Sequence, residues 1–134
     1  MESSALTQRI IGAAIEVHRE LGPGFLESIY EEALCIALTD CNLRFARQLS
    51  VPVRFRGHDV GDHRLDLLVE DAVIVELKAI VELHDIHYAT LRSYLKATGK
   101  ELGLLLNFAT NALTIRRVGR EWYSRRTVDN QARP

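Results

Sequence analysis

The amino-acid sequence predicts a mixed α/β domain with the element order α-α-β-β-β-α-β-β. Three observations support this prediction. Apolar residues recur at helical spacing in three segments, they alternate along others, and one later segment is almost continuously apolar. The third helix joins two strands and would form a right-handed crossover if those strands are parallel and lie in one sheet.

The three helices are predicted from apolar stripes and from the residues that end them. The first covers residues 4–20, with a stripe formed by Leu6, Ile10, Ala13, Ala14 and Val17. The "LGPG" segment at 21–24 ends it, since glycine and proline break a helix. The second covers about 25–39, with a stripe formed by Leu26, Ile29, Ala33, Ile36 and Ala37. The third begins near residue 85 and ends at Gly99, with a stripe formed by Ile86, Leu91, Tyr94 and Leu95.

The strands are predicted from alternation and from turn residues. Segment 45–57 alternates, and Pro52 within it indicates an edge strand or a bulge because proline cannot donate to a ladder. Segment 57–63, "GHDVGDH", is predicted as a turn region. Segments 64–69 and 72–80 form a hairpin. Segment 102–108, "LGLLLNF", is typical of a strand buried on both faces, and 112–118 is one more strand.

Length and charge indicate a single domain over residues 1–134 with two differently charged ends. The net charge is −1, so the whole molecule carries no nucleic-acid signature. Residues 1–46 contain three basic and seven acidic residues, whereas residues 112–134 contain six arginines and two acids. Such polarity suggests two distinct surfaces. A homodimer in which one copy's acidic start meets the other's basic end is one possibility.

The two cysteines and the hydropathy indicate in which compartment the protein is expected. Cys35 and Cys41 match neither a disulfide framework nor a zinc pattern, and Cys35 is predicted to be a buried thiol. No apolar run approaches 18 residues, so no membrane span is expected. The first residues contain no hydrophobic signal core, and the expected location is the cytoplasm.

The predicted hairpin carries charges inside an apolar strand. In "VELK", Glu76 and Lys78 share one face because successive side chains alternate. A three-residue turn over 70–72 would place Asp66 opposite Glu76, with Cβ atoms about 5 Å apart. A two-residue turn would place Asp66 opposite Val75 instead.

These charges have two interpretations. Facing carboxylates repel each other, and a divalent cation between them would reverse that interaction. Oxygen ligands favour Mg²⁺ or Mn²⁺. The alternative is a solvated strand face on which Lys78 balances Glu76.

Further segments carry a family resemblance. "GFLESIY" fits G-x-x-E-x-x-Y with Gly24, Glu27 and Tyr30, and "RLDLLVEDAVIVELKA" and "HYATLRSYLKATGKELGLLLNF" follow in order. With these segments the sequence closely resembles the GxxExxY protein family, which belongs to the PD-(D/E)XK nuclease-like superfamily. The resemblance covers about residues 6–118 and leaves a basic C-terminal tail, 119–134. It implies a restriction-endonuclease-like αβββαβ core, with a central mixed sheet flanked by helices.

The resemblance also implies a site. Asp66 matches the motif aspartate, and Glu76 and Lys78 match E-x-K, so these three would be catalytic. Glu27 matches a further metal ligand from the first core helix. Metal ligation would fall to Glu27, Asp66, Glu76 and the backbone carbonyl of Leu77, with Mg²⁺ or Mn²⁺ as cofactor. The alternative for Glu27 is a solvated acidic helix face shared with Glu31 and Glu32.

Accessory and substrate-binding residues are expected around this site. The accessory candidates are Tyr30, His87, Thr90 and Tyr94. Relatives often carry glutamine where Thr90 stands, four residues before Tyr94. The residues expected to bind nucleic acid are Arg64, Arg116, Arg117 and Arg120.

The expected function is metal-dependent hydrolysis of nucleic-acid phosphodiester bonds, with DNA favoured over RNA as the partner. The alternative is a catalytically inactive nuclease-like fold that binds nucleic acid or another protein. Thr90 and the small size of the chain favour this alternative.

Overall fold

A computed structural model of the protein describes residues 3–120, and its element order matches the one predicted from sequence. The helices are α1 (Ser3–Leu21), α2 (Glu27–Asp40) and α3 (Asp85–Thr98). The strands are β1 (Phe45–Phe55), β2 (His58–Val69), β3 (Val73–Lys78), β4 (Leu102–Asn107) and β5 (Thr114–Gly119). No helix within residues 3–120 is long and apolar enough to cross a membrane.

The five strands form one mixed sheet in the order β1-β2-β3-β4-β5. Strands β3 and β4 are parallel and are joined by α3, and the other neighbours are antiparallel. The predicted fold class, a central mixed sheet flanked by helices, is confirmed. Pro52 lies on the edge strand β1, one residue before a register shift between Val53 and Arg54, so both of the expected settings for it occur together.

Two apolar clusters hold the helices against opposite faces of the sheet. One contains the predicted α1 stripe together with α2, and the other contains Leu91 and Leu95 of α3. Strand β4 contributes to both, Leu104 to the first and Leu105 to the second, as expected for a strand buried on both faces. Gly103 lets α3 approach closely, since a Cβ there would lie 2.8 Å from Leu91 Cδ1.

The predicted apolar stripe of α2 is wrong at Leu26, Ile29 and Ile36, whereas Ala33 and Ala37 pack against the core as predicted. Leu26 and Ile36 are 72% and 63% exposed, whereas Tyr30, Leu34 and Leu38 are fully buried. Helix α2 carries apolar residues on two sides. Periodicity finds both sides but cannot tell which one docks on the sheet and α1.

Two further predictions also need correction. Ile86 is 65% exposed because it lies in the first turn of α3, before the part that packs on the sheet. Segment 58–63 is the start of β2 and not a turn, since Phe55 pairs directly with His58. The actual turn consists of Arg56 and Gly57, both with positive φ, as tight two-residue hairpins require.

The β2–β3 turn has the odd length that the sequence prediction required. Val69 pairs with Val73, and the Ala72 N–H donates to the Val69 carbonyl at 3.0 Å. Glu70 and Asp71 adopt positive φ to close the turn. This register places Asp66 opposite Glu76.

Candidate active site

Asp66 and Glu76 lie where the β2–β3 ladder ends. Backbone pairing stops at Leu67 opposite Val75. Beyond that point side chains replace the ladder: the Asp66 N–H donates to Glu76 Oε1 at 3.0 Å, and the Leu77 N–H donates to Asp66 Oδ2 at 2.9 Å. Each carboxylate is therefore held by a backbone N–H of the opposite strand, and each of these bonds uses one of its two oxygens.

The Leu77 carbonyl is on the same side as Asp66. In a strand the N–H and C=O of one residue point to the same neighbour. The Leu77 N–H points toward β2, where it donates to Asp66. The next carbonyl, that of Lys78, points the other way, toward β4, and accepts the Phe108 N–H. The Leu77 carbonyl is thus directed to the region where β2 no longer pairs.

Acidic side chains lie close together at this point. Glu76 is 6% exposed, and its pKa is raised to about 8, first by burial and then by the charge of Asp66. Burial also raises the pKa of Asp66, and the Leu77 N–H partly opposes this. Lys78 lowers the pKa of both acids, but its effect is smaller than that of burial. A divalent cation would relieve the remaining repulsion.

Helix α2 brings Glu27 into electrostatic contact with the pair. Glu27 is the first residue of the helix, and the residue is exposed on the protein surface. The pKa of its carboxyl group is nevertheless raised, first by partial burial and then by the charge of Asp66, whereas the charge of Lys78 lowers it. Glu27 in turn raises the pKa of Glu76. The three acids and the lysine thus influence one another.

The donor set is chemically suited to a hard divalent cation. Carboxylate oxygens from Asp66, Glu76 and Glu27 and a backbone carbonyl are ligands that Mg²⁺ and Mn²⁺ prefer, and Mg²⁺ keeps several waters. Within residues 3–120, no three acidic, histidine or cysteine side chains are gathered tightly enough to hold a metal ion by themselves. Asp66 and Glu76 would thus be the inner ligands, and Glu27 would approach from α2.

Helix α3 places two of the accessory candidates at the edge of the site. The pKa of Tyr94 is raised to about 12 by burial and then by Glu76 and Asp66. The pKa of His87 is lowered by burial and then by Lys78, and its Nδ1 accepts the His84 N–H at 2.9 Å. Thr90 is half-buried on the same helix, between these two residues in sequence.

Tyr30 has a different environment. It is fully buried and stacks on Phe108 at a centroid distance of 4.6 Å. Its hydroxyl donates to the Gly22 carbonyl at 2.5 Å and accepts the Phe25 N–H at 3.2 Å. Tyr30 therefore fastens the turn before α2, which fixes where Glu27 begins the helix.

The four arginines expected to bind nucleic acid are spread over the surface. Arg64, Arg116 and Arg117 are exposed, whereas Arg120 forms an ion pair with Glu101. Arg116 shares its side of β5 with Val118, which packs in the α3 cluster. Arg117 is on the opposite side. The rest of the basic tail, residues 121–134, lies outside the described residues.

Sequence reasoning missed Glu31 and Gln48. Glu31 is buried, contrary to the solvated face considered above, and it accepts from Arg47 Nε and Gln48 Nε2, both at 2.8 Å. Its spacing of four residues from Glu27 was the available signal. No feature of the sequence points to Gln48, because the alternation that predicts a strand identifies its apolar positions and not the contacts of its polar ones.

Comparisons with known proteins identify the family and a similar fold. A family model of the PD-(D/E)XK nuclease superfamily matches residues 4–118. The fold is similar to the crystal structure of SSO0001, with a TM-score of 0.55 and 17% identity over 80% of this chain. The match spans 59% of the length of that chain. No curated protein matches.

The matched range, residues 4–118, covers α2 and the hairpin that carries Asp66 and Glu76. The narrower resemblance to the GxxExxY family stays a prediction. The chain belongs to the PD-(D/E)XK nuclease superfamily.

Proposed function

We propose that the protein is a divalent-metal-dependent nuclease that hydrolyses phosphodiester bonds in nucleic acid. The observation that carries this proposal is the reciprocal fixing of Asp66 and Glu76 at the open end of the β2–β3 hairpin. A buried and a half-buried acid held side by side destabilise the metal-free protein, as the raised pKa of Glu76 indicates. Such an arrangement is typical of a cation site.

Mg²⁺ or Mn²⁺ would be held by Asp66, Glu76, the Leu77 carbonyl and Glu27. When bound, the ion supplies Lewis acidity that withdraws charge from the phosphodiester and eases ionisation of the attacking water. Lys78 follows Glu76 at the strand spacing of two residues, so it shares that face. Its ammonium group would orient the water or offset charge that develops on the phosphoryl oxygens.

Residues of α3 and the exposed arginines would bind the substrate. Tyr94, whose pKa is about 12, stays protonated at neutral pH and can donate a hydrogen bond to a phosphate oxygen. His87 and Thr90 would line the same edge. Arg64 and Arg116 would contact phosphates further along the strand, in a salt-dependent manner. We favour DNA over RNA as the substrate.

A nuclease assay tests this proposal. Single- and double-stranded DNA and RNA are incubated with the protein and Mg²⁺ or Mn²⁺. We expect cleavage by the wild type and a loss of about 100-fold or more in Lys78→Ala, because one charge-stabilising donor is removed. The matched control is Lys96→Ala, an exposed lysine of α3, which should cleave like the wild type. Equal cleavage by Lys78→Ala would indicate a contaminating enzyme.

The second candidate is an inactive nuclease-like fold that binds nucleic acid or a protein. Two observations favour it: Thr90 stands where relatives often carry glutamine, and no three-ligand cluster is closed within residues 3–120. This candidate predicts that the wild type binds at least one of the nucleic acids without cleaving it. Addition of Mn²⁺ should then leave the affinity unchanged.

A further inference from the structure

Strands β1 and β2 lose their regular pairing next to the candidate site, apart from the register shift between Val53 and Arg54. Arg47 pairs with Leu67 and Leu49 pairs with Leu65, but Gln48 and Asp66 between them do not pair. Gln48 has a φ of 50°, in the left-handed region that residues other than glycine rarely occupy. The break therefore has a specific backbone cause.

The side chains change faces at this break. Leu67 packs with the α1–α2 cluster, whereas Leu65 packs with the α3 cluster, although residues two apart share a face in a regular strand. In β1, Ala46 and Leu49 both pack against the α3 cluster, although they are three residues apart. Both strands thus switch at the level of Gln48 and Asp66.

The switch lets two consecutive side chains reach one carboxylate. Arg47 Nε and Gln48 Nε2 donate to the two oxygens of Glu31, each at 2.8 Å. In a regular strand these side chains would point to opposite faces. The left-handed conformation of Gln48 turns its amide toward α2.

The same amide lies beside the candidate site. Gln48 stands opposite Asp66 at the break, between the pairs Arg47–Leu67 and Leu49–Leu65, and its side chain lowers the pKa of Asp66. A carboxylate can only accept, and the amide nitrogen carries two N–H groups. One N–H is used by Glu31, so the second is the one available for Asp66. A single amide anchored on an acid of α2 can therefore also donate to an acid of the sheet.

We propose that Gln48 is a positioning residue that fixes the Asp66 carboxylate and ties it to Glu31. This proposal rests on the proposed function, because positioning Asp66 matters for activity only if Asp66 is a metal ligand. Glu27 begins the helical turn that ends at Glu31, so the same link sets the distance between α2 and the hairpin acids. Without the amide, Asp66 and Glu31 would face each other as two like charges.

Arg47 provides a matched control. It bonds to Glu31 and also to Glu32, at 2.8 Å and 2.7 Å. It thus shares the Glu31 anchor with Gln48, whereas Gln48 is the residue that stands opposite Asp66 at the break. A purely structural role for the anchor predicts similar effects from changing either residue.

The test uses Gln48→Gly and Arg47→Ala in the full chain. Glycine accepts the positive φ, so Gln48→Gly removes the amide and keeps the strand break. Calorimetric titration with Mn²⁺ should show affinity about 10-fold weaker or more in Gln48→Gly. Arg47→Ala should stay within about 2-fold of the wild type. Thermal unfolding checks that both variants fold. Equal Mn²⁺ affinity in Gln48→Gly and the wild type would overturn the proposal.

A second measurement needs no metal. The side-chain amide of Gln48 is followed by ¹H–¹⁵N NMR in the metal-free protein. Asp66→Asn and Glu31→Gln should each shift these resonances, because each changes one acceptor of the amide. If Asp66→Asn leaves them unchanged, the bridge does not exist. If the wild type binds no Mn²⁺ and the amide still responds to both changes, the metal-dependent function fails while the positioning of Asp66 holds.

Discussion

Replacing Glu76 with glutamine should stabilise the protein at neutral and alkaline pH. Glu76 is 6% exposed and lies beside Asp66, and its pKa is raised from 4.5 to about 8. The folded protein therefore keeps a proton that the unfolded chain releases between these two values. Stability falls as the pH rises through this window, by up to about 1.4 kcal/mol per pH unit.

Glutamine preserves the shape of the side chain and removes the charge. Its amide oxygen can still accept the Asp66 N–H, which is 3.0 Å from Glu76 Oε1. We expect Glu76→Gln to raise the free energy of unfolding by about 2–4 kcal/mol near pH 8. This is below the ceiling of about 5 kcal/mol because the two acids share their titration. Below the ordinary value of 4.5, the gain from removing the charge should vanish.

Urea unfolding without divalent ions, at about pH 5 and about pH 8.5, measures this effect. The control is Glu20→Gln, an exposed acid on α1, which should change stability by less than about 0.5 kcal/mol. A difference between Glu76→Gln and the wild type that does not grow with pH would refute the reasoning. It would mean that ionisation of Glu76 does not lower the free energy of unfolding.

Three further predictions concern the scaffold and its association. Tyr30→Phe should lower the free energy of unfolding by about 1–3 kcal/mol, because the Gly22 carbonyl loses its buried donor, and urea unfolding measures this. On α2, Leu34→Ala should cost about 2–5 kcal/mol, whereas Ile36→Ala should cost less than about 1. Equal costs in thermal or urea unfolding would mean that the buried face of α2 has been misassigned. If residues 1–46 of one copy meet the basic end of another, the sedimentation coefficient should fall from low to high salt, and salt-independent sedimentation would exclude this contact.

Periodicity was sufficient to predict the element order, because changes in apolar spacing are local properties of the chain. The sequence left the turn after Val69 open between two and three residues, and the observed register fixes Asp66 opposite Glu76. Family resemblance supplied the central mixed sheet. It also supplied Glu27, whose position depends on the docking of α2 on the sheet.

The remaining features depend on tertiary contacts. The start of β2 has no apolar alternation because both of its sides are largely exposed, so segment 58–63 looked like a turn. Burial of Glu31 is acceptable only because Arg47 and Gln48 satisfy its carboxylate. Gln48 acquires its contacts through a left-handed residue and a break in two strands, which periodicity does not show.

Calorimetric titration of the wild type with Mn²⁺, beside Asp66→Ala and Glu76→Ala, tests the central claim most directly. We predict one saturable site in the wild type that is lost in both variants and weakened in Glu27→Gln. The exposed control Glu20→Gln should bind like the wild type. Indistinguishable titration curves for the wild type, Asp66→Ala and Glu76→Ala would contradict the assignment of these acids to a metal site.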